Sequence, residues 1–102
     1  MAESPRFYGP VIITRYAGQT DRLPSRVIAS HKRDSETRWT ARASWEHSLN
    51  SEANHKAAAE ALLRNWPLGE GQEAFVLIAC GHDHDHYYWT AVQPWQLADQ
   101  AS

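Results

Sequence analysis

With 102 residues, of which 42% are hydrophobic and 22% charged, the chain is long enough to bury one core unaided and too apolar to remain disordered. A single cysteine excludes an internal disulfide, and the longest apolar run, Ala74–Cys80, falls far short of the roughly 20 residues that a membrane-spanning helix needs. The net charge of −2 hides an asymmetry: residues 1–45 carry eight Lys/Arg against four acids, and residues 46–102 carry two against eight. That split marks either opposed basic and acidic faces or simply the solvated sides of different elements.

After an N-terminal arm (1–10), a single domain is expected over 11–93, followed by a tail (94–102). The N-terminal residues show no basic stretch leading into an apolar one, so no signal peptide is expected. The protein is expected to be soluble and cytoplasmic. Residues 11–16 are rich in β-branched and aromatic side chains and predict a first strand. A polar connection carrying Gly18 and Pro24 leads to a second strand at 26–32, and residues 33–37 supply a hairpin turn. Over 38–45 the alternation is clean. Trp39, Ala41, Ala43 and Trp45 share one face and Arg38, Thr40, Arg42 and Ser44 the other, and the three strands together predict a meander.

Residues 51–66 predict an amphipathic helix, capped by Asn50 or Ser51, with Glu52 near the positive end of its dipole. His55, Ala58, Ala59, Leu62 and Trp66 make an inward stripe with Leu63 at its edge. Glu52, Lys56, Glu60 and Arg64 alternate in sign at intervals of four on the outer side. Pro67 and Gly69 end the helix. Ala74–Cys80 is apolar on both faces and predicts a central strand, with Cys80 an inert core thiol. Residues 86–92 predict a fifth strand, joined by a hairpin loop at 81–85. The fold class is α+β: one helix packed on a mostly antiparallel five-stranded sheet, in the order βββαββ.

Three surfaces carry candidate chemistry. In an extended chain His82, His84 and His86 point to one side, neighbouring rings about 6–7 Å apart. Two imidazoles at that spacing can share a metal ion. A polar turn accounts for the same residues, and the spacing matches neither a His-x-His-x-Asp-His site nor a cupin pair. Arg15, Arg26, Lys32, Arg38 and Arg42 are expected on the outer sheet face, which would resemble an aromatic-basic platform for single-stranded nucleic acid if a neighbouring strand adds Tyr or Trp. Against that stands the acidic net charge, since dedicated binders are usually basic overall. Five tryptophans are many for so small a domain, and Trp89 and Trp95 are not both expected to find room inside, although core packing is the alternative for any one of them. Tyr87, Tyr88, Trp89 and Trp95 therefore form the candidate surface for a protein partner or a second copy of the chain.

His47 and His55 flank the helix start. A His on an inward stripe more often bonds a backbone carbonyl and packs its ring than performs catalysis. No activated serine, reactive cysteine, phosphate-binding loop or paired carboxylate motif is present, so no enzymatic activity and no cofactor are expected.

Two stretches, Ile13-Thr14-Arg15-Tyr16 through Ser25-Arg26-Val27-Ile28-Ala29 and Trp45-Glu46-His47-Ser48-Leu49-Asn50-Ser51-Glu52 through Asn54-His55-Lys56-Ala57-Ala58-Ala59-Glu60-Ala61-Leu62, together resemble a group of short, uncharacterised phage and prophage proteins. The resemblance covers residues 11–66 and brings no catalytic motif. That group usually ends in a Gly-rich turn, which the His/Asp tip replaces here. The resemblance implies a setting in the host cytoplasm and a non-enzymatic module that binds a host protein, as anti-defence inhibitors such as anti-CRISPR proteins do. A nucleic-acid-binding module and a metal-binding protein are the alternatives.

Overall fold

A computed structural model describes residues 9–65 and 75–95. Within them the chain forms β1 (Val11–Ala17), β2 (Arg26–Lys32), β3 (Arg38–Ser44), α1 (Ser51–Arg64), β4 (Val76–His82) and β5 (His86–Val92). The fold is α+β, with α1 packed across one face of a five-stranded antiparallel sheet of order β3-β2-β1-β5-β4. The first three strands form the expected meander. After α1 the chain returns as the β4–β5 hairpin, which docks beside β1. Trp66, Pro67, Gly69, Ala74, the arm before Gly9 and the tail beyond Trp95 lie outside the described residues.

The strands sort their side chains as a period of two requires. Ile12, Val27, Ala29, Trp89 and Ala91 point at the helix and meet Ala58, Ala59, Leu62 and Leu63. Ile12, Val27 and Leu62 are sealed from solvent, and burial of side chains of this size stabilises by about 1.5–3 kcal/mol each. Alanines on both sides of the contact let the helix sit close to the sheet. The remaining helix-facing residues of β3, together with Trp45, pack against the margin of this core. Glu52, Lys56, Glu60 and Arg64 are exposed, as the outward side of the helix requires.

The β2–β3 and β4–β5 hairpins each turn on an aspartate. Asp34 Oδ1 accepts from the N–H groups of Glu36 and Thr37, and Asp83 Oδ1 from those of Asp85 and His86. A short carboxylate that mimics a backbone acceptor closes such turns without help from the core. The helix begins at Asn50, whose Oδ1 accepts from the Ala53 N–H at 2.8 Å.

Three expectations are corrected. β4 is an edge strand, because β5 supplies the alternating Tyr87, Trp89 and Ala91 that continue the helix-facing layer beside β1; β4 then has only the outer side of β5 left to pair with. Cys80 consequently is exposed, its Sγ 2.9 Å from Thr90 Oγ1. Trp89 is not on the surface: it is 2% exposed, in the core, because β5 is an interior strand.

Candidate functional site

The face of the sheet turned away from α1 gathers nearly all of its charge. No Asp or Glu occurs in any of the five strands, and their five Lys/Arg all take outward positions on β1, β2 and β3. Register places Arg42, Ile28, Arg15 and His86 in one row and Thr40, Ser30, Ile13 and Tyr88 in the next. Arg15 and Arg42 thus sit two strand spacings apart, about 10 Å. In a third row Lys32 lies directly opposite Arg38. Like charges so placed repel and weaken a strand pair. Arg15, Lys32 and Arg38 border one shallow hollow of about 330 Å³ together with Ser30 and His86. Among the described residues no carboxylate pairs with Arg15, Lys32, Arg38 or Arg42.

Arg26 differs from the other four. Its guanidinium donates to the carbonyls of Gly18 and Pro24, so it braces the β1–β2 connection. Of the arginines expected on this face, Arg15, Arg38 and Arg42 are free to meet a ligand, and Lys32 joins them.

The β4–β5 hairpin borders this face and fixes an aromatic ring on it. The Tyr88 hydroxyl donates to Asp83 Oδ2 at 2.6 Å. That bond, with the His86 and Asp85 N–H groups, holds the Asp83 carboxyl down at about 2 and pushes the Tyr88 phenol up. His86 lies beside Tyr88, centroids 6.2 Å apart.

The same hairpin separates the three histidines of the alternative metal-binding reading. A bulge between Ala79 and Gly81, with Gly81 at φ +148°, inserts one extra residue into β4 and brings His82 opposite Tyr87 on the helix side. His86 lies on the open side, and His84 projects from the tip, almost wholly exposed. Alternation along an extended chain cannot survive a chain reversal at 83–85. Among the described residues no three His, Cys, Asp or Glu converge as metal ligands.

On the helix side the sequence reading missed a buried polar chain. Trp89 Nε1–H donates to Thr14 Oγ1 at 3.1 Å, and Thr14 Oγ1 lies 2.8 Å from His55 Nδ1. An indole N–H only donates. Thr14 is fully buried, and its hydroxyl, with one proton and a second lone pair, meets the imidazole as donor or acceptor according to the ring's tautomer. Burial pushes the His55 pKa down, with a hydrogen bond to the Thr14 backbone partly opposing it. His55 accordingly packs its ring on Tyr87 and bonds Thr14, and His47 is exposed on the preceding connection. Strict alternation in β1 was the available signal: Thr14 falls between Ile12 and Tyr16 on the inward face, where a hydroxyl needs a partner.

The four aromatics expected to form one partner surface are dispersed. Trp89 is in the core, Tyr87 faces the helix, Tyr88 faces the open side, and Trp95 stands 59% exposed just beyond β5. Comparison with known proteins finds no matching family model, no matching curated protein and no matching solved structure.

Proposed function

We propose that the protein is a non-catalytic binding module that holds a single-stranded nucleic acid on the open face of its sheet. The observation that carries this reading is the charge of that face: five Lys/Arg and no acid in the strands, with Lys32 set opposite Arg38. Folding alone gains nothing from that placement, whereas a phosphate seated between the two cations turns repulsion into attraction. Tyr88, held by Asp83, and the neighbouring His86 supply rings on which bases can stack, as in single-strand binding surfaces. The acidic net charge does not oppose this, because the acids lie in the helix, the connections and the terminal segments.

The reading is tested by NMR titration of the whole chain with a short oligothymidylate. Shifts are expected at Arg15, Ser30, Lys32, Arg38, Arg42 and Tyr88. Shifts confined to α1 residues, or none at low salt, would exclude the open face as the site.

A second reading, a phage-type module that binds a host protein in the host cytoplasm, draws on the exposed Trp95 indole, a side chain favoured at protein interfaces. In this reading Trp95→Ala abolishes capture of a specific partner from host lysate. Capture that survives Trp95→Ala removes it.

A further inference from the structure

The shallow hollow on the open face carries more positive charge than contact with a passing strand requires. Its middle is the row of Ser30, Ile13 and Tyr88, with Ser30 and Ile13 half-buried as its floor. Alternate positions along a strand lie about 6–7 Å apart, so the flanking rows stand close on either side. Arg15 borders the floor from one side, and Lys32 and Arg38, paired directly across β2 and β3, from the other. All three are exposed, and among the described residues no Asp or Glu lines the hollow. His86 completes the rim beside Arg15. Asp83 Oδ1 lies 3.7 Å from His86 Nδ1, but the Asp83 oxygens are engaged by the Asp85 and His86 N–H groups and the Tyr88 hydroxyl.

Three such cations around a hollow of about 330 Å³ call for more negative charge than an internal phosphate brings. A phosphodiester carries a single charge. A phosphate monoester carries about −1.5 to −2 at pH 7 and offers three acceptor oxygens. The volume stands at the lower end of small-molecule sites, room for one phosphate with its sugar and not for a run of nucleotides. Arg42 shares the row of Arg15 but lies outside the hollow, which leaves it for an internal phosphate of the same strand. Tyr88, directly opposite Ile13, is placed for the adjoining base. On the single-strand reading of this face, we propose that the hollow seats the terminal phosphate monoester of the bound strand, between Arg15 on one side and Lys32 with Arg38 on the other, so that the module recognises one phosphorylated end.

The test is a calorimetric titration of the intact chain with a short oligothymidylate bearing a 5′-phosphate, a 3′-phosphate or neither. A phosphate at one of the two ends is expected to tighten binding about tenfold or more, the effect of added hydrogen bonds between charged groups. Lys32→Gln is expected to remove most of that preference; the position is exposed and the change relieves repulsion from Arg38, so the fold is kept. Arg42→Ser, outside the hollow, is expected to weaken the phosphorylated and bare oligonucleotides alike and to keep the preference. An equal gain from a phosphate at either end would report only added charge and overturns the proposal, as does a preference that survives Lys32→Gln. Thymidine 5′-monophosphate binding as tightly as the phosphorylated oligonucleotide would make the free nucleotide the ligand and overturns it too. Salt-sensitive binding of all three oligonucleotides with equal affinity overturns end recognition and leaves the single-strand reading standing, whereas binding of none at low salt removes both.

Discussion

Thr14 shows how one hydroxyl can organise a core. It accepts from the indole of β5 and bonds the imidazole of α1, so three elements are tied through a single buried oxygen. Burial favours the neutral form of the His55 ring in the folded protein. Burial lowers its pKa below the ordinary value of 6.5, so the unfolded chain takes up the proton first as pH falls. The stability that His55 contributes is therefore complete above the unfolded pKa and declines as pH drops below it toward the folded pKa. The expected outcome is a urea midpoint that falls between about pH 7 and pH 5 in the wild type and holds level in His55→Phe. An equal fall in both proteins would assign the loss elsewhere. Asp34 and Asp83, with lowered pKa values, act in a separate and more acidic window: their contribution is present above the ordinary carboxylate pKa and lost as pH falls through the folded one, about 2 for Asp83.

Among the elements, α1 is the most legible and its approach the least. Its amphipathic stripe reads directly from the spacing of His55, Ala58, Ala59 and Leu62, all of them buried. Nothing in that spacing shows that Asn54 is buried as well, at 1% exposure. Asn54 Oδ1 accepts from the Glu46 N–H at 2.7 Å, and its amide donates to the carbonyls of Glu46, Leu49 and Asn50. One side chain thus holds the whole β3–α1 connection, a role set by tertiary approach that a polar residue at the margin of a helical stripe does not announce. Asn54→Ala leaves several of these groups unpaired and is expected to cost about 1–3 kcal/mol in denaturant unfolding. Faster amide exchange at Glu46 should accompany it, and unchanged exchange there would contradict the account. The hairpin strands were legible as strands but not in their order. β4 is apolar along its length like a central strand and yet sits at the edge. Local pattern reports how apolar a strand is, whereas β5 wins the place beside β1 through its Tyr87, Trp89 and Ala91.

Taken as a whole, the molecule separates its charge by layer. The excess of basic residues before residue 46 becomes a face because β1, β2 and β3 stand side by side with their cations on the same side. Composition alone reads the net charge of −2 as evidence against nucleic acid, since it averages over surfaces that never meet the same partner. The alternation of β3 already placed Arg38 and Arg42 together. Opposition of Lys32 to Arg38, and the diversion of Arg26 to the β1–β2 connection, required the register and the loop contacts. The histidine cluster was legible as a hairpin tip, whereas the bulge and the turn that carry its histidines to different sides were not.

The most direct measurement is the affinity for a short oligothymidylate as a function of salt. With Arg15, Lys32, Arg38 and Arg42 on phosphates, log K is expected to fall against log salt with a slope of about −3, and Arg38→Ser with Arg42→Ser to make it shallower by about 1.4. Binding that ignores salt, or a slope unchanged in the double variant, would contradict the assignment of the open sheet face.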